Sequence, residues 1–153
     1  MFRILLVDDS ADDVSLLTGL MKENITRPYE VYVATGGWDA LDFLHCHGPD
    51  RDAPRPNLIL LDINMPVMNG LELLSRIKSD PELALIPVIM LSSSNSPAEI
   101  RRAYATHGNC YVQKPTSLDN SQRLIQAMQA FWMEMVVLPP YEDETAAVVT
   151  RDR

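Results

Sequence analysis

The sequence is short of cysteine, of positive charge and of long apolar runs, and each shortage removes a class of function. Only Cys46 and Cys110 occur in 153 residues, so a reducing, cytoplasmic setting is expected. Thirteen Lys and Arg stand against 21 Asp and Glu, a net charge of −8. Such a field repels phosphate backbones and anionic lipid, so neither a nucleic acid nor a membrane is an expected partner. No apolar stretch approaches the roughly 18–20 residues that cross a bilayer. The chain starts Met1-Phe2-Arg3 and runs straight into a strand-like segment, with no signal-peptide pattern. Repeats and low-complexity tracts are missing too.

What is present is an ordinary globular composition, 46% hydrophobic and 22% charged, in a length that suits one domain. Four apolar runs, Ile4 to Val7, Leu58 to Leu61, Val88 to Leu91 and Tyr111-Val112, are apolar at consecutive positions, as strands buried on both faces must be. A weaker strand, Tyr29 to Val33, belongs at a sheet edge. Between the runs lie apolar residues three or four apart. The stripes are Val14, Leu17, Leu20 and Met21; Trp38, Leu41 and Leu44; Leu71, Leu74 and Ile77. Ser96-Pro97-Ala98-Glu99 reads as a helix start with a capping Ser, Pro at the first helical position and Glu completing a capping box, and Gly108 reads as its stop. A final stripe of Leu124, Ile125, Met128, Phe131, Trp132 and Met135 falls on one helical face before Pro139-Pro140.

Alternating strand and helix predict an α/β fold, a (βα)5 flavodoxin-like doubly wound parallel sheet of strand order 2-1-3-4-5. The domain is expected over 1–138, with a C-terminal arm or tail over 139–153. His47 to Pro56 reads as a surface loop. His45-Cys46-His47 reads as the edge of that loop rather than a metal site, because three successive residues cannot all face one ion.

In an open parallel sheet, ligands bind at the carboxyl ends of the strands. Those positions hold Asp8-Asp9, Asp62, Ser92 and Lys114-Pro115. Three carboxylates that close stay ionised only with a cation among them. An all-oxygen donor set suits Mg²⁺, which commonly also takes a phosphate oxygen. A carboxylate can then accept a phosphoryl group, with Lys114 and the Ser92 hydroxyl neutralising its oxygens. Asp62, on the central strand, is the better nucleophile.

These residues make the chain resemble the receiver domains of two-component response regulators. The resemblance is carried by Asp8-Asp9, by Leu61-Asp62-Ile63-Asn64-Met65-Pro66 with Gly70, by Ser92 where the family has Ser or Thr, and by Lys114-Pro115. It covers residues about 3 to 135, and the ordered combination is far more specific than any one part. The resemblance implies phosphorylation of Asp62, and Mg²⁺ held by Asp9, Asp62 and the Asn64 main-chain carbonyl, with Asp8 acting mainly through water. It further implies phosphoryl oxygens bound by Lys114 and Ser92, a switch formed by Ser92 and Tyr111, and a cis peptide bond before Pro115. Asn64 and Ser94 stand at positions that in the family modulate hydrolysis of the aspartyl phosphate.

More narrowly, Asp8-Asp9-Ser10 followed by Asp12-Asp13, the Trp38 to Leu44 helix, Asn109 to Pro115 and Ala130-Phe131-Trp132 resemble single-domain regulators paired with phytochrome-type histidine kinases. That implies a histidine kinase, such as a bacteriophytochrome, as partner and often a homodimer. The apolar excess on Phe131, Trp132, Met135, Val136 and Leu138 is the expected dimer interface. After the last helix only about 15 residues remain, too few for an output domain. The expected function is a stand-alone phosphoacceptor, self-catalysed in phosphorylation and dephosphorylation but not otherwise an enzyme. Two alternatives stand beside it: a phosphorelay intermediate passing phosphate to a histidine phosphotransfer protein, and a Mg²⁺-dependent phosphohydrolase. The hydrolase would normally need a second carboxylate where Asn64 stands.

Overall fold

The computed structural model describes residues 1–46 and 53–140. Five strands, β1 (Phe2–Val7), β2 (Tyr29–Ala34), β3 (Leu58–Asp62), β4 (Val88–Ser92) and β5 (Cys110–Gln113), alternate with α1 (Ala11–Asn24), α2 (Gly37–Leu44), α3 (Gly70–Ser79), α4 (Pro97–Ala105) and α5 (Leu118–Met128). A 3₁₀ turn at Leu83–Leu85 precedes β4, and a π-helical turn at Gln129–Met133 extends α5. The strands form one parallel sheet in the order β2-β1-β3-β4-β5, as the alternating pattern predicts.

Strand position explains strand composition. Every residue of β3 and β4 is buried, as are the last four of β1, whereas β2 and β5 are half-exposed edges. The period of two divides the central strands between two cores. Leu5, Val7, Ile59, Leu61 and Met90 pack with α2 and α3 on one face. Ile4, Leu6, Leu58, Leu60, Ile89 and Leu91 pack with α1 and α5 on the other. Each such side chain contributes about 1.5–3 kcal/mol on full burial, so the sheet is a rigid base for whatever stands at its strand ends.

Four helices start on side-chain caps. Ser10, Asn69, Ser96 and Ser117 accept from the backbone N–H of Asp13, Glu72, Glu99 and Asn120. Each therefore begins at a fixed point just past the strand that precedes it.

Four expectations are corrected. Trp38 is not core: it is 54% exposed, and the Arg76 guanidinium lies 4.9 Å over its ring, a cation–π cover in place of burial. Gly108 does not supply the left-handed residue that ends α4. His107 does, at φ 70°, while the N–H groups of His107 and Gly108 close on the carbonyls of Tyr104 and Ala103. The last apolar stripe does not keep one face. The π-helical turn adds a residue to the period, so Met133 becomes buried while Phe131 is 53% and Met135 74% exposed. The Arg27 guanidinium donates to the Met133 carbonyl and anchors this wider turn. Finally, no cis peptide bond occurs among the described residues. The Lys114–Pro115 bond is trans, the isomer that X–Pro bonds favour by about 0.5–1 kcal/mol.

The expected loop over His47 to Pro56 lies outside the described residues as far as 52, which includes His47. The arm over 139–153 lies outside them from 141 onward.

Candidate functional site

The site is assembled by strand order. β1 and β3 are neighbours, so Asp8 and Asp9, just past β1, meet Asp62 at the last position of β3. One ligand oxygen from each of the three lies within 4.8 Å of the others. Asp8 and Asp62 are 1% and 4% exposed, and Asp9 is open to solvent. Asn64 follows two residues after Asp62, exposed at the rim.

The loop that carries Asp62 is tightly held. The Gly70 N–H donates to the Ile63 carbonyl at 2.8 Å. A Cβ on Gly70 would stand 2.2 Å from the Asp62 carbonyl oxygen, so this approach requires glycine. Met65 and Met68 plug the loop into the core, while exposed Val67 takes φ 68°, a strained value for a β-branched residue. Gly70, quoted in sequence as part of a motif, is thus the residue that lets α3 press against the end of β3.

Lys114 comes in from β5. Its backbone N–H donates to the Ser92 carbonyl at 2.7 Å, and its ammonium reaches Asp13 Oδ2 at 2.8 Å, Asp62 Oδ1 at 3.2 Å and Asp8 Oδ2 at 3.3 Å. Burial, and then the neighbouring Asp8 charge, push the Asp62 carboxyl up to about 6, against the pull of Lys114. Burial works against the Lys114 charge as well, but Asp13, Asp62 and Asp8 outweigh it and hold the ammonium above the ordinary lysine range. One ammonium does not balance this many carboxylates. The donor chemistry, oxygen only and in excess of local positive charge, fits a hard divalent cation of the Mg²⁺ or Mn²⁺ kind.

Ser92 ends β4, fully buried. Its hydroxyl points along another line: it donates to Glu99 Oε1 at 2.6 Å and accepts from the Ser94 N–H at 3.1 Å. The Tyr111 phenol meets the same Glu99 oxygen at 2.8 Å and the Ser94 carbonyl at 2.7 Å. Burial first, together with the Glu99 carboxylate, raises the phenol above its ordinary value.

The structure therefore brings Asp8, Asp9, Asp62 and Lys114 together. It joins Ser92 to Tyr111 through Glu99, and it puts Phe131, Trp132, Met135, Val136 and Leu138 at the far end of α5. There Phe131 and Met135 are exposed, Trp132, Val136 and Leu138 are half-buried, and the Phe131 and Trp132 rings meet edge to face at 5.3 Å. Two site residues escape a reading of the sequence. Asp13 looks like a first-turn helix acid, and its signal is the fourth carboxylate it adds near the strand ends. Glu99 looks like the second half of a capping box. Its carboxylate is in fact given to Ser92 and Tyr111, and the Ser96 N–H it would have capped donates to Ser94 Oγ instead.

Comparison with known proteins bears on this geometry. Residues 4–129 match the model of the response regulator receiver domain. The chain is 39% identical over 136 residues to the response regulator Rcp1 of Synechocystis, covering 89% of this chain and 92% of that protein. The Mn²⁺-bound crystal structure of Rcp1 superposes with a TM-score of 0.85 at 38% identity, over 92% of this chain and 100% of the other. The phosphorylated cyanobacterial phytochrome response regulator RcpA superposes with a TM-score of 0.86 at 37% identity, over 91% and 99%.

Proposed function

The chain belongs to the response regulator receiver domain family, and from that premise we propose that it is a single-domain phosphoacceptor that takes a phosphoryl group from a histidine kinase onto Asp62. The observation that carries this reading is the convergence of Asp8, Asp9 and Asp62 within 4.8 Å under a lysine that touches Asp8 and Asp62. Asp9, Asp62 and the Asn64 main-chain carbonyl would hold Mg²⁺, with Asp8 acting through water. When bound, the cation neutralises the carboxylates and polarises a phosphoryl oxygen.

An Asp62 carboxylate oxygen attacks phosphorus in line. The new P–O bond forms as the P–N bond to the donor imidazole breaks, and the imidazole leaves with that electron pair and takes a proton from solvent. Lys114 turns from Asp13 and Asp8 toward the phosphoryl oxygens. Ser92 supplies a hydroxyl to another of those oxygens, and with Tyr111 it carries the change to the surface of α4 and β5. The phytochrome link rests on the likeness to RcpA, a cyanobacterial phytochrome response regulator. The proposed site of action is the cytoplasm, where such kinases present their phosphoryl groups; among the described residues no helix is long and apolar enough to cross a membrane.

The same reading includes a homodimer built on Phe131, Trp132, Met135, Val136 and Leu138. It is supported by the exposure of Phe131, within the π-helical turn, and of Met135, just past it. Incubation with acetyl phosphate and Mg²⁺ should add the mass of one phosphoryl group to the intact protein and none to Asp62→Asn. A labelled Asp62→Asn protein overturns the assignment. Sedimentation should give a dimer that is lost on truncation after Glu134.

A further inference from the structure

Glu99 is where the site's second half is decided. It lies in the first turn of α4, half-buried, and one of its oxygens takes both hydroxyls on which the proposed switch depends, Ser92 at 2.6 Å and Tyr111 at 2.8 Å. A hydroxyl has one proton. Ser92 can give it to Glu99 or to a phosphoryl oxygen, but not to both. The bond to Glu99 is short and its acceptor is a carboxylate, which places it among the stronger hydrogen bonds a serine can make. Tyr111 is similarly committed, between Glu99 and the Ser94 carbonyl.

We propose that Glu99 is a positioning residue that sets the threshold of the switch: it competes with the phosphoryl group for the Ser92 hydroxyl and, through the same oxygen, holds Tyr111 in register with it. This rests on the phosphoacceptor reading and adds a residue to it. Occupation of Ser92 by a phosphoryl oxygen breaks the Glu99 bond, leaves the Glu99 carboxylate with Tyr111 as its remaining hydroxyl partner, and loosens the first turn of α4 from the end of β4. Loading at Asp62 is thereby coupled to a change at the α4 surface by a bond exchange with no step in between. Ser96 keeps the α4 cap without help from the Glu99 side chain, because it accepts from the Glu99 backbone N–H. Replacing the carboxylate therefore leaves the helix start intact.

The test uses the full chain and two probes, Mg²⁺ alone and Mg²⁺ with beryllofluoride as a phosphoryl mimic, each titrated calorimetrically. Removing the competitor in Glu99→Ala should tighten beryllofluoride binding about ten-fold. Glu99→Gln, which keeps the shape but offers a neutral acceptor, should fall between Glu99→Ala and wild type. Affinity for Mg²⁺ alone should stay within about two-fold in both variants, since Glu99 does not reach the acidic cluster. A merely structural role would not produce that split. Unchanged or weakened beryllofluoride binding in Glu99→Ala, with a normal wild type, overturns the role of Glu99 and leaves the phosphoacceptor reading standing. A wild type that binds Mg²⁺ but no beryllofluoride overturns both.

Discussion

The two halves of the site sit on adjacent strand ends and are held in opposite ways. At the ends of β1 and β3, Asp8, Asp13 and Asp62 crowd around one ammonium with Asp9 beside them, so that half carries unbalanced negative charge, buried at Asp8 and Asp62 and open to solvent at Asp9. At the end of β4, Ser92, Glu99, Tyr111 and Ser94 meet each other's hydrogen-bonding needs. The first half gains by taking in a cation and loses nothing. The second must give up existing bonds before it can make new ones. Binding energy therefore enters through the acidic half and is spent in the hydroxyl half, which is the arrangement a switch needs if loading is to change shape.

The comparison is broken most severely by removing the ammonium. Lys114→Met should leave Asp8 and Asp62 buried without a counter-charge and cost about 3 kcal/mol of stability at neutral pH. Added Mg²⁺ should recover much of that. Urea unfolding with chelator and with Mg²⁺ checks it, and equal loss in both media would mean that Lys114 acts by packing alone.

Next in size is the repulsion itself. Because burial and Asp8 raise the folded-state Asp62 carboxyl to about 6, the folded protein holds that proton more tightly than the unfolded chain, whose carboxyl titrates near 3.9. Stability contributed by the protonated form is complete below about pH 4 and is lost as pH rises through about 6. Metal-free Asp62→Asn should therefore be more stable than wild type by about 2 kcal/mol at pH 7.5, with the gap closing toward pH 4. Parallel pH curves for the two proteins would show that Asp62 is not strained by its neighbours.

The acidic half was legible in the sequence and the hydroxyl half only partly so, for physical reasons. Asp8, Asp9, Asp62 and Lys114 stand directly after apolar runs. Strands that alternate with helices run parallel, so all their carboxyl ends lie at one edge of the sheet and the local pattern puts these residues there, whatever the strand order. Glu99 and Asp13 already have a sufficient local explanation, a capping box and a first-turn acid, and nothing in the local pattern marks a side chain that has left its ordinary task. The last apolar stripe shows a third kind of limit. A period of 3.6 puts Phe131 and Met135 with Met128, but the π-helical turn changes the period and exchanges them for Met133. Trp38 fits the apolar spacing of α2 and still faces outward, because Arg76 on α3 offers it a cation–π contact that spacing cannot encode.

The smallest effect sharpens the comparison most. Tyr111→Phe removes a phenol that contacts Glu99 and the Ser94 carbonyl but keeps the ring, and the Ser92 to Glu99 bond remains, so the cost in stability should be about 1 kcal/mol. What matters is how that cost combines with others. If the hydroxyl half is a unit, Tyr111→Phe and Glu99→Ala share a lost contact, and the double variant should be less destabilised than the sum by roughly 0.5–1 kcal/mol. Tyr111→Phe with Lys114→Met should add to within about 0.5 kcal/mol, because in metal-free protein no contact joins the phenol to the ammonium. Equilibrium urea unfolding of both cycles decides it. Coupling between Tyr111 and Lys114 as large as that between Tyr111 and Glu99 would mean that the two halves are already one network before any phosphoryl group arrives, and the separation of charge-held from bond-held regions would fail.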